Sequence, residues 1–123
     1  MAALADLDSL IDYLHDTQAV RRHGGIERRA EERYPLAVVV DYVPLDQSQR
    51  PCGPAENAVT RDLSRSGIGL FTERAISAKF LRVRIPAWAG RRAELLVEVL
   101  RCAPLDFVYD VGGRILQWQW SGE

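Results

Sequence analysis

The chain has 123 residues, 47% of them hydrophobic and 27% charged, with a formal net charge of −1. That length and balance suit one globular domain with a modest core. They exclude a molecule whose overall field draws it to nucleic acid, and no apolar run approaches the ~20 residues of a membrane span. The N-terminus lacks the basic-then-apolar order of a secretory signal, so a cytoplasmic location is expected. Of the 16 Lys and Arg residues only Lys79 is lysine. Either planar recognition of phosphate and bases or a biased genome accounts for that preference. Cys52 and Cys102 are far apart, and His15 and His23 have no ligand-type partner at metal spacing, so no metal site is expected.

Residues 1–20 are expected to hold a helix. Leu4, Leu7, Leu10, Ile11 and Leu14 fall on one face, with Asp6, Asp8, Asp12 and Asp16 mostly off it. A stripe of this kind gains stability by burial against a neighbour. That neighbour is either the rest of this chain or a partner. Residues 21–33 change character. Arg21, Arg22, Arg28, Arg29 and Arg33 are mixed with Glu27, Glu31, Glu32, His23 and Gly24-Gly25, and no apolar face remains. The segment reads as a mobile linker, a strap able to close over an anionic ligand.

Residues 34–120 read as a β domain. Leu36, Val38, Val40 and Tyr42 alternate with Ala37, Val39, Asp41 and Val43, and Pro44 is expected to end that run. Residues 46–56 read as a loop. A second strand over 57–63 would carry Ala58, Thr60 and Asp62 on one face, and a third spans 67–72 after a turn near Arg65-Ser66. Residues 80–85 point Leu81, Val83 and Ile85 inward and Arg82 and Arg84 outward. A fifth strand over 94–102 places Leu95, Val97 and Val99 on one side, with Cys102 as a small buried hydrophobe. Residues 107–111 and 114–120 form a sixth, with a bulge or kink at Gly112-Gly113. Leu116, Trp118 and Trp120 alternate there and either cap the domain or present a partner surface. Six short strands at this spacing predict an all-β, closed or nearly closed antiparallel barrel.

Two stretches carry the candidate chemistry. Asp62 and Ser64 stand at i and i+2 of an extended segment and so share a face, and Gly67 follows where the backbone must turn or come close to something. Upstream, Arg29 and Arg33 set two always-charged planar forks four residues apart. Such forks suit phosphate and the acceptor edge of guanine, and a carboxylate suits the guanine donors that arginine cannot serve. Together these groups meet the requirements of an anionic guanine nucleotide. The local alternatives are a turn that uses Asp62 and Ser64 to bond nearby amides, and a solvated face on which the arginines pair with Glu27, Glu31 and Glu32.

Arg29-x-x-x-Arg33, followed by Tyr34-Pro35 and a hydrophobic strand, then Asp62-x-Ser64-x-x-Gly67-Ile68-Gly69, resembles the PilZ domain over about residues 27–118. The resemblance implies a six-stranded antiparallel β-barrel, here with an additional N-terminal α-helix, that binds the second messenger cyclic di-GMP. It implies a receptor that signals to an unidentified protein partner, not an enzyme, with neither cofactor nor metal and with no nucleic acid polymer or membrane as partner. Arg29 and Arg33 would contact guanine and phosphate, Asp62 and Ser64 would hold the base edge, and Gly67 would allow close approach. Arg28, just before the pair, goes in this family with binding an intercalated ligand dimer. The competing expectation is a PilZ-like protein-interaction module that binds no nucleotide and uses the N-terminal helix or the C-terminal tryptophans. An oligonucleotide-binding barrel would need more aromatic platforms among its basic residues than Tyr34 and Tyr42 supply.

Overall fold

The computed structural model describes residues 34–35, 37–86 and 90–121. The expected N-terminal helix and the arginine-rich strap, with Arg28, Arg29 and Arg33, lie outside the described residues. Seven strands follow in order: β1 (Tyr34–Pro35), β2 (Val39–Leu45), β3 (Glu56–Leu63), β4 (Gly67–Thr72), β5 (Phe80–Pro86), β6 (Arg92–Leu105) and β7 (Val108–Ser121). All pairings are antiparallel, in the order β3-β2-β5-β6-β7-β4, and β4 pairs back onto β3. The ring is therefore a closed six-stranded barrel, as the spacing of the strands predicted. β1 stands outside the ring and adds to β3, on the edge that β2 also uses. Among the described residues no helix is long and apolar enough to cross a membrane.

Closure follows from alternation. Leu81, Val83 and Ile85 on β5 and Leu95 and Val97 on β6 are at most 1% exposed, while Arg82 and Arg84 between them stay partly in solvent. Leu63, Ile68, Leu70 and Val111 complete the same core from β3, β4 and β7. Each such side chain contributes on the order of 1.5–3 kcal/mol on burial. On the outer face of β2 and β5, Arg84 Nε donates to Asp41 Oδ1 at 2.6 Å across a register pair. This partly exposed ion pair, screened by solvent, adds on the order of 1 kcal/mol or less.

Several boundaries differ from the sequence reading, each for a physical reason. β2 does not end at Pro44 but runs on to Leu45. Beyond Tyr42 the pairing with β3 has ceased, and on that edge β2 makes only the isolated bridge of Leu45 with Pro51, where Pro44 C=O accepts from Cys52 N–H at 2.9 Å, so no continuous ladder runs there for a missing N–H to break. The last two strands are not short; each has 14 residues, and they join through Asp106-Phe107. Asp106 takes a φ of 54°, which aspartate tolerates better than most residues. Phe107 therefore belongs to the turn rather than the strand.

Three one-residue bulges do the rest. Thr60 pairs with Leu70 and Asp62 with Gly69, so Arg61 is extra on β3. Val99 pairs with Gly113 and Arg101 with Gly112, so Leu100 is extra on β6. Leu96 pairs with Gln117 and Val97 with Ile115, so Leu116 is extra on β7. Each extra residue inverts the inward–outward parity of the strand beyond it. Asp62 thus leaves the face of Ala58 and Thr60, and Leu63 turns into the core instead. The expected kink at Gly112-Gly113 is found on the strand opposite, at Leu100. Ile115, not Leu116, joins Trp118 and Trp120 against the core, and Leu116 is exposed. The two tryptophans meet edge to face, with centroids 5.6 Å apart at 74°, and the Arg91 guanidinium lies 5.0 Å from the Trp120 ring. Cys102 is half-buried against the core and accepts from Ile76 N–H at 3.4 Å.

Tyr42 is 3% exposed, and its ring belongs to the core. Burial pushes its phenol pKa above the usual 10.0, and the charge of Glu56, its register partner on β3, pushes the same way. The phenol therefore stays neutral in the fold after it would ionise in the unfolded chain. The stability tied to that neutral form is fully present below pH 10.0 and is lost as pH rises through the folded value. Denaturation curves recorded from pH 9 to 11 should accordingly fall less steeply with pH in Tyr42→Phe than in the unmodified protein.

Candidate functional site

The turn from β3 to β4 is built from Ser64-Arg65-Ser66-Gly67. Ser64 N–H donates to Gly67 C=O at 2.9 Å, and Gly67 N–H donates back to Ser64 Oγ at 3.1 Å. The Ser64 hydroxyl lies 3.3 Å from the Gly67 carbonyl oxygen and is wholly buried. Ser66 C=O accepts from Ile115 N–H at 2.7 Å, which ties the turn to β7. Ser64 and Gly67 therefore close the turn on one another, and that turn fixes the end of β3 where Asp62 stands.

Asp62 is on the outer face. The residues that flank its partner Gly69, Ile68 and Leu70, point into the core, so position 69 faces outward. One cross-strand row runs Asp62 on β3, Gly69 on β4, Gly112 on β7 and Arg101 on β6. Its two central positions have no side chains, and guanidinium groups lie over them. A Cβ at position 69 would stand 2.6 Å from Arg61 Cζ and 2.7 Å from its Nε. At position 112 it would stand 3.4 Å from an Nη of Arg101.

The bulge brings Arg61 onto this face. Arg61 Nε donates to Asp62 Oδ2 at 2.9 Å, and its Nη1 donates to Asp110 Oδ1. Arg101 Nη1 lies 3.5 Å from Asp110 Oδ2. Two carboxylates and two guanidiniums thus form one strip across β3, β4, β7 and β6, with the acidic charges matched by the basic ones. The Arg61 side chain is 28% exposed and that of Asp62 13%, whereas that of Arg101 is 52% exposed. A matched strip of this kind can present donors and an acceptor to a polar ligand without repelling a negative one.

The pairing of β1 sets what borders the strip. Tyr34 is in register with Leu63 and Pro35 with Asp62. Thr60 then carries the same edge onward: Thr60 N–H donates to Val38 C=O at 2.9 Å, and Val38 N–H donates to Thr60 Oγ1 at 3.0 Å. Of the residues singled out from sequence, Asp62, Ser64 and Gly67 are thus gathered at one end of β3. Arg28, Arg29 and Arg33 lie outside the described residues. Arg61, Arg101 and Asp110 were not anticipated. The one sequence signal for them is the presence of glycine inside two strands, which marks a close approach of something to the backbone.

The exterior also carries apolar groups. Val39 and Val59 are register partners, 62% and 38% exposed, and Phe71 continues their row on β4. At the β6–β7 turn Phe107 is 96% exposed. A polar groove of about 150 Å³, bordered by Arg82, Glu94, Gln117 and Gln119, lies across β5, β6 and β7, away from Asp62. No family profile, curated protein sequence or solved structure matches this chain.

Proposed function

We propose that this protein is a cyclic di-GMP receptor of the PilZ type. The observation that carries the proposal is the antiparallel pairing of Tyr34–Pro35 with Asp62–Leu63. Arg33 directly precedes Tyr34 in the sequence. That pairing holds Tyr34, the residue that follows the arginine motif in the sequence, at the end of β3 that carries Asp62, although 28 residues separate Tyr34 from Leu63, counting 35 to 62. In this reading Arg29 and Arg33 pair with phosphate and guanine, and Asp62 accepts from the guanine donors. Ser64 and Gly67 hold the turn that presents Asp62. Arg28 stacks on a second guanine, so that the ligand binds as an intercalated dimer. The arginine-bearing segment settles onto the barrel when phosphate neutralises it, and that rearrangement is the signal to a protein partner.

Isothermal titration with cyclic di-GMP, and with cyclic di-AMP as the control, tests the reading. Binding of the guanine ligand alone is expected, with an endpoint of two ligands per chain. An endpoint of one removes the dimer and Arg28's part in it; no heat at all removes the receptor. A second reading, a protein-interaction module that binds no nucleotide, is favoured by the exposed Val39–Val59 pair and by Phe107. The same titration decides between them.

A further inference from the structure

The geometry points to Arg61 as the residue that positions Asp62 and so sets the preference for guanine, an inference that rests on the cyclic di-GMP reading above. Side chains of neighbouring residues in a regular strand point to opposite faces. Arg61 and Asp62 share a face only because Arg61 is the extra residue of the β3 bulge. The bulge alone does not fix the guanidinium. It is fixed on one side by Asp62 Oδ2 at 2.9 Å and on another by Asp110, and beneath by the backbone at Gly69, where any Cβ would collide with it. Asp110 is held in turn from Arg101 on β6. Four strands thus contribute to the orientation of one largely buried carboxylate.

Such orientation matters for a base edge more than for a phosphate. A phosphate accepts donors from many directions, whereas the guanine edge offers N1–H and the N2 amine in one plane, and a carboxylate must lie in that plane to accept both. Arg61 also offsets the charge of Asp62, which would otherwise oppose a ligand with two phosphates. In this arrangement Arg61 acts through Asp62 and does not itself recognise the base.

Two variants disturb the arrangement by different routes. Arg61→Ala removes the fork. Gly69→Ala keeps the charge of Arg61 but places a methyl group where its guanidinium lies. Because position 69 faces outward, neither change opens the core. Each variant and the unmodified protein would be titrated with cyclic di-GMP and with the cyclic dinucleotide of inosine, which lacks the N2 amine, and thermal unfolding would confirm the barrel in all three. Cyclic di-GMP affinity should fall about ten-fold or more in both variants, the scale of one charge-assisted hydrogen bond. Affinity for the inosine analogue should change by no more than about three-fold in Gly69→Ala, which keeps the charge, and should fall less than that for cyclic di-GMP in Arg61→Ala, so that in both the preference for guanine collapses. Arg61→Lys, which retains a charge but not a planar fork, should lose the preference as well. If the variants keep the preference of the unmodified protein, Arg61 does not position Asp62, while the receptor reading stands. If both ligands weaken equally, Arg61 contributes only charge and the inference fails. If the unmodified protein binds neither ligand, the receptor reading itself fails and the inference goes with it.

Discussion

Arg33→Ala is expected to abolish measurable cyclic di-GMP binding while leaving the thermal transition of the barrel close to its original position. A bidentate guanidinium–phosphate contact is among the strongest single interactions a small anionic ligand makes, and its loss costs on the order of 2 kcal/mol or more. That corresponds to roughly thirty-fold or greater weakening. On the proposed reading two further losses would accompany it: the remaining arginines would neutralise less of the ligand's charge, and the segment that carries them would gain less from the ligand. Stability should hardly change, because the ring of strands closes through residues 39–121 without residue 33. Arg29→Ala should behave alike. Asp62→Ala should weaken binding less, since in the proposed site it would serve the base edge rather than the phosphates. Titration calorimetry paired with circular dichroism checks all three, and tight binding by folded Arg33→Ala protein would overturn the assignment of the site.

How far the sequence foretold the site depends on what each feature obeys. Leu81, Val83 and Ile85 were legible because a strand with one buried face must alternate, and the turn at Ser64–Gly67 was legible because serine and glycine have few other uses together. The bulges at Arg61 and Leu116 were not legible, and that at Leu100 was signalled only on the opposite strand, at Gly112-Gly113. They answer to the curvature needed to close six strands into a ring, which is a property of the whole sheet and not of the neighbouring residues. Two of them explain a side chain that the sequence reading misplaces, Asp62 beside Thr60 and Leu116 beside Trp118. The same limit hid Arg61. Read locally, it belongs on the face opposite Asp62, and its other partner, Asp110, lies 49 positions away. Two halves of the proposed site were visible as motifs, yet the strip that joins Asp62 to β7 and β6 was visible only once the register was known.

Gly112 and Gly113 separate packing from propensity in adjacent positions. Alternation sends a side chain at 112 outward and one at 113 inward. At position 113 a Cβ would collide with Val97 Cγ1 and would stand 2.9 Å from the backbone oxygen of Glu98. The valine methyl cannot yield without entering the filled core around Leu95 and Val111, and the carbonyl cannot yield without breaking the β6–β7 ladder. Gly113→Ala should therefore destabilise the barrel by about 1–3 kcal/mol, the usual cost of overpacking. In a domain of this size the melting temperature should drop by roughly 5–20 °C. At position 112 the same methyl meets only the end of the Arg101 side chain, at 3.4 Å, which is half exposed and can shift a few tenths of an ångström outward while keeping its contact with Asp110. Neither glycine has a positive φ, so alanine strains neither backbone. Gly112→Ala should accordingly be neutral or gain about 0.4–1 kcal/mol through the reduced freedom of the unfolded chain. Thermal unfolding of the two single variants is the check. A large loss at position 112, or none at 113, would mean that β7 is threaded through the barrel with the opposite parity. The bulge at Leu100, on which the facing of Arg101 and Cys102 depends, would then have to lie elsewhere on β6.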